Sequence, residues 1–337
     1  MGRMIGRIHA VLAVSALFLS GCTAPEHTAD TPSGSESPAV TEPAPFVYEF
    51  NPHVLSREYT VIYGPEIEPL FYGFCDAVLE GRDTFPCPSL EVYHQILTIA
   101  VVCLPVADYC IDKGSIRVEN GTGFIPYTMD HNQQTELVQQ FRDRVYEVIT
   151  AAVPYQEEDF IIAAELLTAV ANKDDIDEDG MLLENSLTIR PYRAIMENKG
   201  ICQEIAGEYI YYLLQTGINA VTCSGLSRDK ETAHMWALVE LNGEYYHMDP
   251  MFTVQYPDSL AFFGLTDEMR EQYGDFPPEN WSCAESDVLS HKDYAADNER
   301  FLPLWRAESY TIDRTERLLH LSLFDVYAPA ETDEFRY

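Results

Sequence analysis

Residues 200–215 read GICQEIAGEYIYYLLQ, and residues 233–250 read AHMWALVELNGEYYHMDP. Between them they decide the fold class. The first stretch opens after an Asn198-Lys199-Gly200 turn and carries Ile205, Tyr209, Tyr212 and Leu213 at helical spacing, so it predicts a helix from Cys202 to about Leu214, closed by Gly217. The second splits at Asn242-Gly243, the strongest short signal for a two-residue hairpin turn. Ala233 to Leu241 and Glu244 to Asp249 then form antiparallel strands, with Ile218 to Ser224 as a further strand. An α+β fold follows, with a Cys-bearing helix packed on an antiparallel sheet.

The turn fixes the register. Leu241 faces Glu244, so Trp236 faces Asp249, and His234 lies diagonal to Asp249 on the same side of the sheet. An imidazole and a carboxylate can meet across that diagonal. The opposite side carries Met235, Ala237, Val239, Leu241, Tyr246 and Met248 and is expected to be the core face. Cys202 sits in the first turn of its helix, where the dipole and unpaired N–H groups favour a thiolate. These placements suggest a nucleophile (Cys202), a base (His234) and an acid that orients the base (Asp249). His247, on the same side as His234, is a rival base. It is expected nearer the solvent end of the sheet because it is closer to the turn.

Gly200-Ile201-Cys202, His234-Met235-Trp236 and Tyr246-His247-Met248-Asp249-Pro250, in that order, resemble the transglutaminase-like superfamily. The resemblance is specific over residues 186–270. It extends more loosely to the helices from Gln133 onward and to the Phe262–Met269 segment. It implies a papain-like core with Cys202, His234 and Asp249 as the triad. Two positions depart from the pattern of bacterial relatives: Ala237 replaces an Asn after the Trp, and Tyr245-Tyr246 stand where Trp-Tyr is common. The implied chemistry is acyl transfer on peptide or protein amides, by a cysteine protease, amidase or cross-linker, with no required cofactor. The competing reading is a catalytically weak or inactive domain that binds peptide or cell-wall material. The N–H of Cys202 is the natural first oxyanion donor; Gln203 and Tyr192 are candidates for the second. Trp236, Gln203 and Tyr192 are the expected substrate-side residues.

Outward from this core, Gln133–Val153 and Glu157–Ala171 read as amphipathic helices. So does Pro65–Gly81; Ser89–Cys103 is a helix or a buried apolar segment. Ser115–Glu119 and Phe124–Thr128 flank Asn120-Gly121 as a second hairpin, with a loop of two residues or one running to Gly123. The chain divides into a leader (1–22), a Pro-, Ser- and Thr-rich linker (23–45), a mainly helical N-terminal extension (46–130) and a transglutaminase-like domain (131–337). The leader has Arg3 and Arg7, an apolar run too short for a confident membrane span, and Leu19-Ser20-Gly21-Cys22. It resembles a bacterial lipoprotein signal, which implies lipidation at Cys22 and a body tethered outside the cell membrane by lipid alone.

The 337 residues include 21 Lys+Arg against 55 Asp+Glu, a net charge of −34 that argues against nucleic-acid partners. Seven cysteines remain besides Cys22, which outside the cytoplasm suggests disulfides and at least one free thiol; Cys223 and Cys283 are one conceivable pair. Asp175, Asp177, Asp179 and Gly180 match the first half of a calcium loop, but Ser186 occupies the position of the bidentate Glu. A calcium site there competes with a solvated acidic loop.

Overall fold

The computed structural model describes residues 43–177, 190–284, 286, 289 and 291–337. The leader with Cys22, nearly all of the linker, and Asp179 lie outside them. The architecture mixes helix and sheet, as an α+β chain does.

The N-terminal part contributes α1 (Ile67–Leu79) and α2 (Leu90–Cys103), with a small sheet of β1 (Thr84–Pro86), β2 (Arg117–Glu119) and β3 (Thr122–Phe124). Ser89 caps α2 by accepting the Val92 N–H at 3.2 Å. The β2–β3 loop is the two-residue alternative: Glu119 pairs with Thr122, and Asn120 and Gly121 both take positive φ, as a type I′ turn demands.

Next come α3 (His131–Ala152) and α4 (Asp159–Lys173). Asp130 begins α3 with a capping box: its carboxylate accepts the Gln133 N–H, and the Gln133 side chain returns to the Asp130 N–H. A short parallel pair, β4 (Asp175–Ile176) and β5 (Lys199–Gly200), flanks α5 (Pro191–Glu197). Then follows α6 (Cys202–Gln215), in which every residue from Glu204 to Gln215 is buried. A helix covered on all sides is a central helix rather than a surface one. It packs on the sheet and against α2, α4 and α5.

That sheet is antiparallel, in the order β8 (Glu244–Met248), β7 (Ala233–Leu241), β6 (Ala220–Leu226), β9 (Trp281–Cys283). The predicted register holds: Leu241 pairs with Glu244, and Ala237 with Met248. Asn242 and Gly243 make the I′ turn with positive φ. One expectation fails. The sheet has no solvent face, because His234, Trp236, Leu238 and His247 are as buried as Met235, Ala237 and Val239. The segment from Pro250 to Phe276, including α7 (Asp267–Gly274), covers the side that carries His234 and His247. His247 is therefore fully buried rather than near solvent.

A third sheet, β10 (Ala307–Asp313), β11 (Leu318–Leu323) and β12 (Thr332–Arg336), closes the chain. One hydrophobic core runs from Tyr48 and Phe71 through α6 to Phe335, so residues 46–130 share it with the rest. Polar anchors join the two parts. Tyr48 donates to Gln215 at 2.7 Å, and the buried Glu58 accepts from Asn219 and Tyr245. All seven described cysteines are free thiols, against the expected disulfides. Six of them are buried inside this core. No helix among the described residues is long and apolar enough to cross a membrane.

Candidate active site

The entry to α6 is built by Glu204, three residues after Ile201. Its Oε2 accepts the Ile201 N–H at 3.0 Å, and its Oε1 accepts from Arg193 Nε at 2.8 Å. Arg193 also donates to Asp177 at 2.7 Å, and Lys199 lies 3.2 Å from the same carboxylate. Asp177 is thus engaged by two cations, and Asp175 extends β4. Among the described residues no cluster of three His, Cys, Asp or Glu side chains could hold a metal. The acidic stretch braces the helix entry through Arg193, which positions the residue that follows Ile201.

That residue is Cys202, which is partly exposed. The side chain of His234 and the backbone N–H of Met235 lie close enough to its sulfur to pull the thiol pKa down. His234 Nε2 lies 2.7 Å from Asp249 Oδ2, which leaves Nδ1 for the sulfur. Phe252 stacks on the imidazole with centroids 4.7 Å apart and planes 12° apart, which holds the ring against rotation. Asp249 is held as well. Its Oδ1 accepts the Phe252 N–H at 3.1 Å, and its own N–H bonds to the Phe262 carbonyl at 3.0 Å. The structure therefore joins His234 to Asp249 by a hydrogen bond and sets Cys202 beside the imidazole.

The charges favour an ion pair. Burial opposes a thiolate at Cys202, but the hydrogen bond and charge of His234, with the Met235 N–H, outweigh it and hold the thiol below its ordinary value. Burial also opposes the imidazolium. Asp249, then Cys202, overcome that and push His234 up to about 9. Burial would raise Asp249, yet His234 and Arg270 keep it below the usual carboxylate range. The shifts therefore run toward a thiolate at Cys202, an imidazolium at His234 and a carboxylate at Asp249.

The rival base is occupied elsewhere. His247 Nδ1 accepts the Trp236 indole N–H at 2.8 Å, and its Nε2 lies 2.8 Å from Asp267 Oδ1. Burial lowers its pKa, consistent with a neutral ring that accepts on one nitrogen and donates from the other. Trp236, expected on the substrate side, is fully buried behind His234 and presents no face to a ligand. Gly225, opposite His234 in the register, makes room for it: a Cβ there would stand 2.8 Å from the Trp236 ring. Tyr192 is not at the triad; its ring is stacked between Tyr109 and Phe141. Gln203 follows Cys202, and its Oε1 is buried with no hydrogen-bond partner among the described residues.

Arg270 is the residue that sequence reasoning missed. It lies in α7, is 1 % exposed, and places Nη2 2.8 Å from Asp249 Oδ2. Its guanidinium carbon stands 4.2 Å from the Trp236 ring centroid and 5.0 Å from that of Phe276. Nothing in the polar run Asp267–Gly274 marks one Arg as buried.

No protein-family model and no curated protein sequence matches the chain. Two solved structures resemble it in part. One is described as a cysteine protease candidate from Cytophaga hutchinsonii, at 15% identity and a TM-score of 0.27, over 33% of this chain and 37% of that one. The other is a TGase, at 14% identity and a TM-score of 0.29, over 40% of this chain and 43% of that one. The chain spans less than half the length of either. Likenesses of this strength assign neither activity nor substrate.

Proposed function

We propose that the chain is a thiol acyl-transfer enzyme, with Cys202 as nucleophile, His234 as acid and base, and Asp249 as the carboxylate that orients and charges His234. The observation that carries this reading is the buried His234–Asp249 hydrogen bond with the partly exposed Cys202 beside the imidazole, whose charge lowers the thiol pKa. A buried His–Asp pair alone has structural uses. A thiol placed on its free nitrogen, with its pKa lowered, supports catalysis.

In this reading the Cys202 thiolate attacks an amide carbonyl and forms an S–C bond. The oxygen takes up the negative charge beside the Cys202 N–H, in a helix turn whose first N–H groups lack intrahelical partners. The C–N bond then breaks, and the imidazolium proton of His234 passes to the departing nitrogen. The resulting thioester is resolved by water or by an amine. His234 takes the incoming proton and the S–C bond breaks, returning the thiolate. Water as acceptor gives a protease or amidase, and a Lys side chain gives a cross-linker. The Leu19-Ser20-Gly21-Cys22 motif supports an enzyme lipid-tethered outside a bacterial cell.

The test is mass analysis of a glutamine-containing peptide library incubated with the full chain, with and without a primary amine. Cleavage, deamidation or amine incorporation, lost in Cys202→Ala, is expected. Unmodified peptides under every condition would instead favour a peptide- or wall-binding module.

A further inference from the structure

We propose that Arg270 is a positioning residue for the Cys202 thiolate: it adds the fourth charge to a buried alternating row, sulfur negative, His234 positive, Asp249 negative, Arg270 positive, and so permits the sulfur to ionise. This rests on the acyl-transfer reading above and deepens it.

The row is closed to solvent along most of its length. His234, Asp249 and Arg270 are each at most 5 % exposed, where uncompensated charge is costly. With Arg270 the four charges cancel. Without it, thiolate, imidazolium and carboxylate carry one negative charge in excess. The row would shed that excess by taking a proton at its more basic anion, the Cys202 sulfur rather than the Asp249 carboxylate, and a neutral thiol would result.

The contact geometry indicates how Arg270 acts. Nη2 is 2.8 Å from Asp249 Oδ2, the same oxygen that His234 meets at 2.7 Å. Yet neither Nη2 nor Nε makes an aligned hydrogen bond to any described residue. The interaction is one of charge more than direction. Trp236 and Phe276 hold the guanidinium in place by their ring faces.

The other titratable groups near the row leave its charge unaltered. Burial raises the Cys223 thiol and keeps it neutral, even with Arg270 nearby. Burial lowers His247, which is paired with Asp267. On the outer side of α7, Glu271 is paired with Arg228.

The experiment is the alkylation rate of Cys202 by iodoacetamide across pH, read by peptide mass mapping in the full chain and in R270Q and R270K, with folding checked by near-UV circular dichroism. R270Q keeps length and a donor but no charge. Its thiolate midpoint is expected to rise by about one unit or more, which slows alkylation roughly tenfold on the acid side. R270K keeps the charge and is expected to stay within about half a unit of wild type. An R270Q profile that superimposes on wild type overturns the proposal. So does an R270K profile displaced by a full unit, and that arm decides alone if R270Q fails to fold. The two readings fail separately: a wild-type midpoint at the ordinary thiol value contradicts the acyl-transfer reading, whereas a low midpoint shared by wild type and R270Q contradicts only the role of Arg270.

Discussion

His234 Nε2 and Asp249 Oδ2 stand 2.7 Å apart although they lie 15 positions apart along a strand, turn and strand. The hairpin turn at Asn242-Gly243 sets that distance, because a one-residue slip would place the two side chains on opposite faces of the sheet. The bond occupies Nε2 of the imidazole, and the charge of Asp249 raises His234 to about 9.

Asp249→Asn is expected to lower acyl transfer by roughly three to four orders of magnitude, as in other triads where the orienting carboxylate becomes an amide. The amide removes the charge and favours the wrong ring tautomer. Steady-state rates on a glutamine peptide, with folding checked in parallel, measure this. A loss below tenfold would argue against the orienting role.

The pH dependence has a definite sign. The Cys202 thiol lies below its ordinary value and His234 is raised to about 9. The competent state, thiolate with imidazolium, exists between the two midpoints. The acylation rate should rise as Cys202 ionises, stay level between the two midpoints, and fall above about pH 9 as His234 loses the proton that the leaving nitrogen needs. Single-turnover acylation against pH gives the profile. A rate still climbing with the slope of a free thiol beyond that point would contradict the assignment.

Much of this site was legible in the sequence because turn chemistry and two-residue alternation are local rules. Asn242-Gly243 supplied the register, and Cys202 followed from the start of a periodic helix. What stayed hidden depended on chain arriving from elsewhere. Alternation named the opposite side as core, and closeness to the turn put His247 near the solvent end of the sheet. Neither could show that Phe252, Phe276 and Arg270, supplied by the segment after Pro250, would cover the His247 side. Arg270 itself sits in a run of charged residues that reads as a solvated helix. Tyr192 was drawn toward the triad by its place in the sequence, but the stacking of Tyr109 and Phe141 holds it in the helical region.

Cys223 and Cys283 face each other on neighbouring strands with sulfurs 3.4 Å apart. The adjacent Ala284 N–H bonds to the Thr222 carbonyl, so the cysteines occupy a non-hydrogen-bonded pair, where the two backbones approach most closely. Refolding the full chain with oxidised glutathione should join them by thiol–disulfide exchange. Reduction of the bridge should lower stability by about 3–5 kcal/mol on the chain-entropy model. Peptide mapping without reductant and a melting curve test both points. A map in which both thiols remain alkylatable in denaturant would rule the bridge out.

Gly207→Ala tests how the nucleophile helix is seated. A Cβ at that position would lie 2.4 Å from Pro191 Cγ, and the proline ring cannot swing away. Alanine gains up to about 1 kcal/mol of helix propensity, while overpacking costs about 1–3 kcal/mol. Net destabilisation of about 1–2 kcal/mol is therefore expected by urea unfolding. A stabilised variant would show that α5 and α6 are not packed as described.

The central claim is that His234 activates the Cys202 sulfur, and labelling with iodoacetamide at near-neutral pH tests it most directly. Cys202 is the one described cysteine that is not buried, so peptide mapping of the native protein reads its reactivity. The account predicts rapid modification of Cys202 in the wild type and a loss of at least tenfold in His234→Ala. Equal labelling of the two proteins would contradict it.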